Sequence, residues 1–238
     1  MNLLLLDAAE LDGEVASIAG RRAEHVRGVL RKTPGDAVRV GRVGGPLGTA
    51  TLVSDDGERM VLQVAWGEPP PPKRPQTLVL ALPRPPVLRR VLQHACAMGV
   101  EQVALVHTAR VEKSYWHSPA LQPDAIEAQL RLGLEQARDT VLPRVSVHPR
   151  FRPFVEDELP ELCAGARLLV ADPTATHPCP TDVAGRVVVV LGPEGGLVEF
   201  ELDLLCTQGA TPVGLGPRIL KVETAVVAIL ARLGQTSP

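Results

Sequence analysis

The sequence predicts an α/β protein in which a helix-covered parallel sheet follows a smaller β-rich domain. Three observations predict it. From Thr77 onward, apolar runs of strand length alternate with apolar residues at helical spacing. Short alternating segments separated by turn residues fill the chain up to Gly67. Between the two regions stands Glu68-Pro-Pro-Pro-Pro-Lys-Arg-Pro75, which cannot donate to a sheet and favours an extended spacer. The expected domains are therefore residues 1–69, a linker at 70–75 and residues 76–238.

In the first domain, the apolar start Leu3-Leu-Leu-Leu6 reads as a strand, because it lacks a basic flank and turns acidic at once, unlike a signal peptide. Arg22 to Arg31 reads as a helix ending before Thr33-Pro34. Pro34-Gly35-Asp36, Gly44-Gly45-Pro46 and Asp55-Asp56-Gly57 mark turns around strands at Ala37–Val40, Thr49–Val53 and Arg59–Val64. Short strands at this spacing predict a small barrel.

In the second domain, Thr77–Leu82 is a strand. Val87, Leu88, Val91, Leu92, Ala95 and Met98 then recur at helical spacing, and Gly99 closes that helix. Strands follow at Gln102–His107, Arg167–Ala171, Arg186–Leu191 and Pro212–Leu215, with helices at Ala125–Thr140, Leu197–Cys206 and Val222–Leu233. Continuous apolar strands alternating with helices imply a parallel sheet covered on both faces.

The 238 residues are 45% hydrophobic and 22% charged, which excludes a disordered chain. No apolar run approaches the ~18 residues of a membrane span. Cys96, Cys163, Cys179 and Cys206 are scattered without a Cys-x-x-Cys pair, so no metal site is expected and reduced thiols in a cytosolic protein are. The net charge is −2, but it is unevenly spread. Residues 21–42 carry seven basic side chains against two acidic ones, and residues 73–90 carry five basic and no acidic ones. Two such segments could build one phosphate-binding face or two unrelated solvated surfaces.

Two segments carry the chemistry. Val187-Val-Val-Val-Leu-Gly-Pro-Glu-Gly-Gly-Leu197 is an apolar strand ending in glycines before a helix that opens with Glu199 and Glu201. Ligands of open parallel sheets bind at such carboxyl ends, and Gly192, Gly195 and Gly196 allow close backbone approach. Without Gly-Lys-Ser/Thr or Gly-x-Gly-x-x-Gly this is no phosphate loop, and Glu194 would repel one. Val213-Gly-Leu-Gly-Pro-Arg-Ile-Leu-Lys-Val-Glu-Thr-Ala225 repeats the strand–glycine–helix form, interrupted by Arg218, Lys221 and Glu223.

Together, and in this order, Leu191–Gly196 and Leu215–Ala225 resemble the two hallmark loops of SPOUT-class methyltransferases. More closely, they resemble those of the bacterial small-subunit ribosomal RNA uridine-N3 methyltransferases. His25-Val-Arg-Gly-Val-Leu-Arg31 with Pro34-Gly-Asp36 resembles that family's N-terminal PUA-like RNA-binding barrel. Leu92–Val100, Arg110-Val-Glu-Lys-Ser-Tyr-Trp116 and Glu135-Gln-Ala-Arg138 extend the similarity over nearly the whole chain. Lys221 where arginine is commoner, Cys96-Ala-Met98 and Ala137 depart from the family pattern.

The resemblance implies a C-terminal trefoil knot, which ordinary connection rules would never propose. It also implies S-adenosyl-L-methionine as cofactor, a 16S ribosomal RNA or small-subunit substrate, and a homodimer. It places the cofactor against Leu191, Gly192, Pro193, Gly195, Gly196, Leu215, Gly216, Ile219, Leu220 and Thr224, with Leu191, Leu215 and Leu220 flanking adenine. Catalytic candidates are Arg218, as a stabiliser of the uridine anion, and Glu194 and Glu223 as proton acceptors. RNA-contact candidates are His25, Arg27, Arg31 and Lys32. Another SPOUT RNA methyltransferase, acting on a tRNA ribose or a guanine, and a non-catalytic RNA-binding assembly factor are the competing readings.

Overall fold

The computed structural model describes residues 1–234, and they fall into two compact units. The first comprises residues 1–72 together with 131–142; the second comprises 73–130 and, of the described residues, 143–234.

The first unit holds β1 (Leu4–Leu6), β2 (Leu11–Asp12), β3 (Val15–Ala19), α1 (Gly20–Glu24), β4 (Ala37–Arg42), β5 (Leu47–Asp55) and β6 (Arg59–Trp66). They form one sheet in the order β1-β4-β5-β6-β3-β2. Its two edge strands are consecutive in sequence, joined by the single tight turn Ala8–Glu10. Laid flat, six strands would separate those edges by ~24 Å, and five residues reach at most ~18 Å. The sheet must therefore curl, and a register shift between Leu52 and Ser54 adds bend where β5 meets β6. Alternate residues point inward and form one apolar core, including Leu6, Ile18, Val40, Leu52, Met60 and Leu62. This is the small barrel-like domain that the turn spacing predicts.

The helix expected over Arg22–Arg31 is shorter and less regular. After α1 the chain widens into a turn over His25–Val29, with Leu30 N donating to His25 O five residues back at 3.0 Å. It stops at Arg31, whose φ is 53°.

Residues 131–142 return to this unit, which composition cannot reveal. Arg131 donates two bonds to the Asp7 carboxylate at 3.1 and 2.7 Å. Buried Glu135 accepts from Arg21 at 2.7 Å, and Thr140 Oγ1 donates to Gly45 O at 2.6 Å.

The second unit contains β7 (Arg74–Ala81), α2 (Pro85–Ala97), β8 (Val100–Val106), most of α3 (Pro123–Ala137), β9 (Arg144–His148), the short helices α4 (Phe151–Pro153) and α5 (Leu159–Leu162), β10 (Ala166–Ala171), β11 (Arg186–Leu191), α6 (Glu199–Thr207), β12 (Thr211–Val213) and α7 (Val222–Leu233). Its sheet runs β12-β10-β11-β7-β8-β9, with every pairing parallel. The run Val187–Leu191 is buried throughout, as a central parallel strand must be. β9 and the helical stretch from Phe151 to Leu162 escape the sequence reading. β9 is a five-residue edge strand without a continuous apolar run, and the stretch is broken by Pro153 and Pro160.

The segment after β10 and the segment after β12 lock together. Asp172 N donates to Val213 O at 3.0 Å, Gly214 N to His177 O and Cys179 N to Gly214 O, both at 2.8 Å. Arg232 of α7 grips Cys179 O with two donors at 3.2 and 2.8 Å. The loops that matter most are thus fixed by backbone bonds rather than by packing alone.

All four thiols are free, and burial pushes Cys163 up to about 11. Among the described residues, no helix is long and apolar enough to cross a membrane, and no group of His, Cys, Asp or Glu side chains could hold a metal ion.

Candidate functional site

A cleft of about 320 Å³ opens in the second unit at the carboxyl ends of the strands. Three loops build it. One follows β10 (Asp172, Pro173, Thr174), one follows β11 (Gly192–Leu197), and one runs from Val213 through Leu220 into the start of α7.

The loop after β11 owes its shape to two glycines. Gly196 has φ +74°, and a Cβ on Gly192 would sit 3.1 Å from both the amide nitrogen and Cγ of Leu197. Glu201, 3% exposed, then braces the loop from behind. Its Oε2 accepts from Val198 N at 3.0 Å and its Oε1 from Ala109 N at 2.6 Å. One carboxylate therefore ties the start of α6 to the loop after β8. Arg110, on that same loop, donates to Gly195 O and lines the cleft.

The opposite wall is more open. Gly216 takes φ +104° at the turn. Among the described residues, the amides of Leu215, Gly216, Arg218, Ile219 and Leu220 make no backbone hydrogen bond. They remain available as donors beside the apolar surfaces of Leu191, Leu215 and Leu220.

Of the residues expected to hold a cofactor, Leu191, Gly192, Pro193, Gly195, Gly196, Leu215, Gly216, Ile219 and Leu220 line this cleft. Thr224 does not; α7 presents Val222 and Ala225 to it instead, and Thr224 lies outside the lining. Arg218 and Glu194 are brought to the cleft, Arg218 exposed and without an ion-pair partner among the described residues, Glu194 facing Arg84 at 3.6 Å. Glu223 is not brought there. It pairs with Arg90 at 3.0 Å, and a bond from its own amide, with Arg90 second, holds its carboxyl below the usual range. A carboxylate held ionised in this way is a weak proton acceptor.

Arg110 and Asp172–Thr174 are cleft residues that the sequence reading did not assign. Arg110 stood in a noted motif, but nothing local says that it reaches Gly195. Asp172 Oδ1 accepts from both the amide and hydroxyl of Thr174, at 2.8 and 2.9 Å, which fixes the carboxylate on its loop.

The basic run in the first unit is largely tied down. Arg21 pairs with Glu135, Arg22 with Glu10, and Arg27 with Asp55. The partners all lie outside residues 21–42, so a window count overstates the free charge. Arg27 gives both donors to Asp55, at 2.8 and 2.6 Å, and is structural rather than free for RNA. His25 is half-buried, with Nε2 enclosed and lacking a hydrogen-bond partner. Arg31 is exposed, and Lys32 beside it is partly so.

Comparison with known proteins agrees with this geometry. The model of a family described as the RNA methyltransferase domain matches residues 70–234. A ribosomal RNA small subunit methyltransferase E from Treponema pallidum is 29% identical over 97% of this chain and 90% of its own length. The protein of that name from Mycobacterium bovis is 28% identical over 98% of this chain and 90% of its own. The crystal structure of a ribosomal RNA small subunit methyltransferase E from Neisseria gonorrhoeae, bound to S-adenosyl methionine, superposes with a TM-score of 0.75. It is 21% identical and covers 96% of this chain and 95% of its own. With a SPOUT-type parallel-sheet domain carrying both glycine loops on one cleft, and a family match spanning that domain, the chain belongs to the RNA methyltransferase domain family.

Proposed function

We propose that this protein methylates N3 of an unpaired uridine in small-subunit (16S) ribosomal RNA, in the cytosol, with S-adenosyl-L-methionine as donor. The observation that carries the reading is the convergence of Leu191–Gly196 and Leu215–Leu220 on one cleft of about 320 Å³ with apolar walls and free amides. The full-length similarity to small-subunit ribosomal RNA methyltransferases supports the substrate class.

The cleft fits the cofactor. Leu191, Leu215 and Leu220 offer flat apolar surface for a purine, and the amides of Leu215, Gly216, Arg218, Ile219 and Leu220, unpaired with backbone among the described residues, can donate to ribose and adenine. The Asp172 carboxylate, which lines the cleft, suits an ammonium or a diol. When bound, the sulfonium supplies an electrophilic methyl group.

What the chain must add is position and charge. Methyl transfer is an in-line displacement, so holding acceptor and donor in line supplies much of the rate. The uridine N3 lies on the Watson–Crick edge and carries a proton, so the base has to be splayed out of any helix and the imide proton removed. Arg218, exposed at the cleft and without an ion-pair partner among the described residues, would stabilise the resulting anion. Glu194 is the better placed of the two proposed proton acceptors, because Glu223 is engaged by Arg90. Arg31 and Lys32 are the remaining candidates among those proposed for RNA backbone contact. The reading includes a homodimer: Ile219, 81% exposed at the cleft, and exposed Phe200 on α6 give apolar surface for a second copy, and sedimentation would test it.

The deciding experiment incubates the protein with labelled S-adenosylmethionine and small subunits lacking their native modifications, followed by nucleoside analysis. Label in 3-methyluridine is expected. Label in another nucleoside would move the acceptor to that of a sister family. No label, together with no donor binding, would make the protein an RNA-binding factor.

A further inference from the structure

Arg110 reaches the cleft from the loop after β8, and the residues around it are built to present it. Its chain neighbours are pinned. Ala109 N donates to Glu201 Oε1 at 2.6 Å, and Val111, 5% exposed, donates its amide to Thr108 O at 3.0 Å. The side chain then lies across the glycine loop. Its Nη1 donates to Gly195 O, and a Cβ on Gly195 would come 3.2 Å from Arg110 Cδ and 3.7 Å from Arg110 Cβ. Gly195 lies outside the left-handed region, so backbone freedom does not explain a glycine there. Room for Arg110 does.

The charge that Arg110 brings is not cancelled. Among the described residues, the charged side chains lining the cleft are Arg110, Asp172, Glu194 and Arg218. Glu194 faces Arg84 at 3.6 Å. Arg110 is exposed, has a neutral carbonyl as its partner, and meets no carboxylate at ion-pair distance among the described residues. With Arg84 included, three cations stand against two carboxylates, so the cleft is positive before any ligand enters. The donor adds to that charge, since its sulfonium and ammonium outnumber its one carboxylate. A cleft positive with and without its donor is complementary to an anionic acceptor.

RNA carries its anion in the phosphodiester, and a uridine turned out of its helix brings that group with it. A guanidinium fork matches paired phosphate oxygens. Among the described residues, only Nη1 of the Arg110 fork is engaged, so its other donors remain for such a ligand. The bond to Gly195 also orders the side chain beforehand, which lowers the entropy lost on binding. We infer that Arg110, seated on Gly195, grips the phosphodiester beside the acceptor uridine, while Arg218 on the opposite wall answers the charge of the base. This rests on the methyltransferase reading above and gives its acceptor side a phosphate subsite.

The test uses the full chain with Arg110→Ala and Arg110→Lys. Donor affinity is measured by calorimetry, and methyl transfer by single turnover at saturating donor over a range of unmodified small-subunit concentrations. Subunit affinity is measured against salt, and phosphate contacts are mapped by ethylation interference on the bound RNA. Arg110→Ala should bind donor within about threefold of the unaltered chain, while its half-saturating subunit concentration rises about 10- to 100-fold. Its slope of log affinity against log salt should flatten by roughly 0.7 to 0.9. Arg110→Lys should restore the slope but only part of the affinity, because a point charge replaces a fork. In the unaltered chain, ethylation of a phosphate beside the methylated nucleotide should block binding, and Arg110→Ala should lose that block. An unchanged slope, an interference pattern kept by the alanine variant, or a loss confined to donor affinity would each overturn the assignment; the last would give Arg110 to the donor's carboxylate. Failure of the unaltered chain to transfer any methyl group would instead strike the reading beneath it, and the salt slopes would still decide whether Arg110 holds a phosphate.

Discussion

Arg27 and Asp55 face each other with two parallel bonds, Nε to Oδ2 at 2.8 Å and Nη2 to Oδ1 at 2.6 Å, joining the helical turn after α1 to the end of β5. The Arg27 bond, followed by a bond from Gly57 N, holds the Asp55 carboxyl down to about 2. A carboxyl lowered on folding adds stability above its unfolded value, and that stability drains away as pH falls through the folded value. Thermal melts of Asp55→Asn and the unaltered chain should therefore differ most above about pH 4 and converge toward pH 2. Equal differences across that window would show that the pair is not coupled to acid stability.

If Arg27 is structural, charge for RNA must come from its neighbours. Arg31 sits at φ 53°, a region where glycine is comfortable and other residues are strained. Arg31→Gly thus removes the cation while easing the backbone. Its binding to small-subunit RNA should weaken, and the slope of log affinity against log salt should flatten by roughly 0.7 to 0.9. An unchanged slope would take Arg31 off the RNA.

Gly196 carries a conformational demand rather than a steric one. With φ +74°, any side chain costs ~1–2 kcal/mol of backbone strain, and an arginine would also occupy the cleft. Gly196→Arg should lower donor affinity at least about tenfold by calorimetry. Unaltered binding would mean that the donor lies elsewhere.

Arg218 gives the sharpest separation of binding from chemistry. Arg218→Ala is expected to fold and to bind donor nearly normally, while the single-turnover rate falls by about 10²- to 10³-fold, the usual cost of losing one group that stabilises a developing anion. A rate equal to that of the unaltered chain would remove it from the reaction.

Glu201 touches no part of the cleft volume, yet two loops depend on it. Glu201→Ala leaves the amides of Ala109 and Val198 without their acceptor in a buried setting. The loss should be ~2–3 kcal/mol, or a Tm lower by roughly 4 to 10 °C. Added donor should recover part of it, since ligand binding stabilises only the folded chain.

How much of this was legible depended on how local the signal was. β11 and α7 have the predicted bounds, 186–191 and 222–233, because one is a continuous apolar run and the other a strong helical stripe. Gly99 ends α2 with φ +77°, as its place after an apolar period implies. The glycine loops were legible as motifs. The Arg110–Gly195 bond was not, because it joins residues 85 apart through a fold that no local period encodes. The same holds for Glu10, Asp55 and Glu135, which neutralise a basic run from a turn, the end of a strand and a returning helix. Thr224 was assigned by its place in a motif, but the rotation of α7 decides which of its neighbours meets the cleft.

The six parallel strands put five loop-bearing ends on one rim: Arg84 beyond β7, Arg110 beyond β8, Asp172 beyond β10, Gly192 beyond β11 and Leu215 beyond β12. The layers beneath them are bonded backbone and apolar core, indifferent to what the rim holds. Two of these ends are bonded to each other, since Arg110 donates to Gly195 O and Ala109 N to Glu201, so a change in the loop after β8 is transmitted to the loop after β11. Neighbouring loops of this rim are therefore constrained to change together.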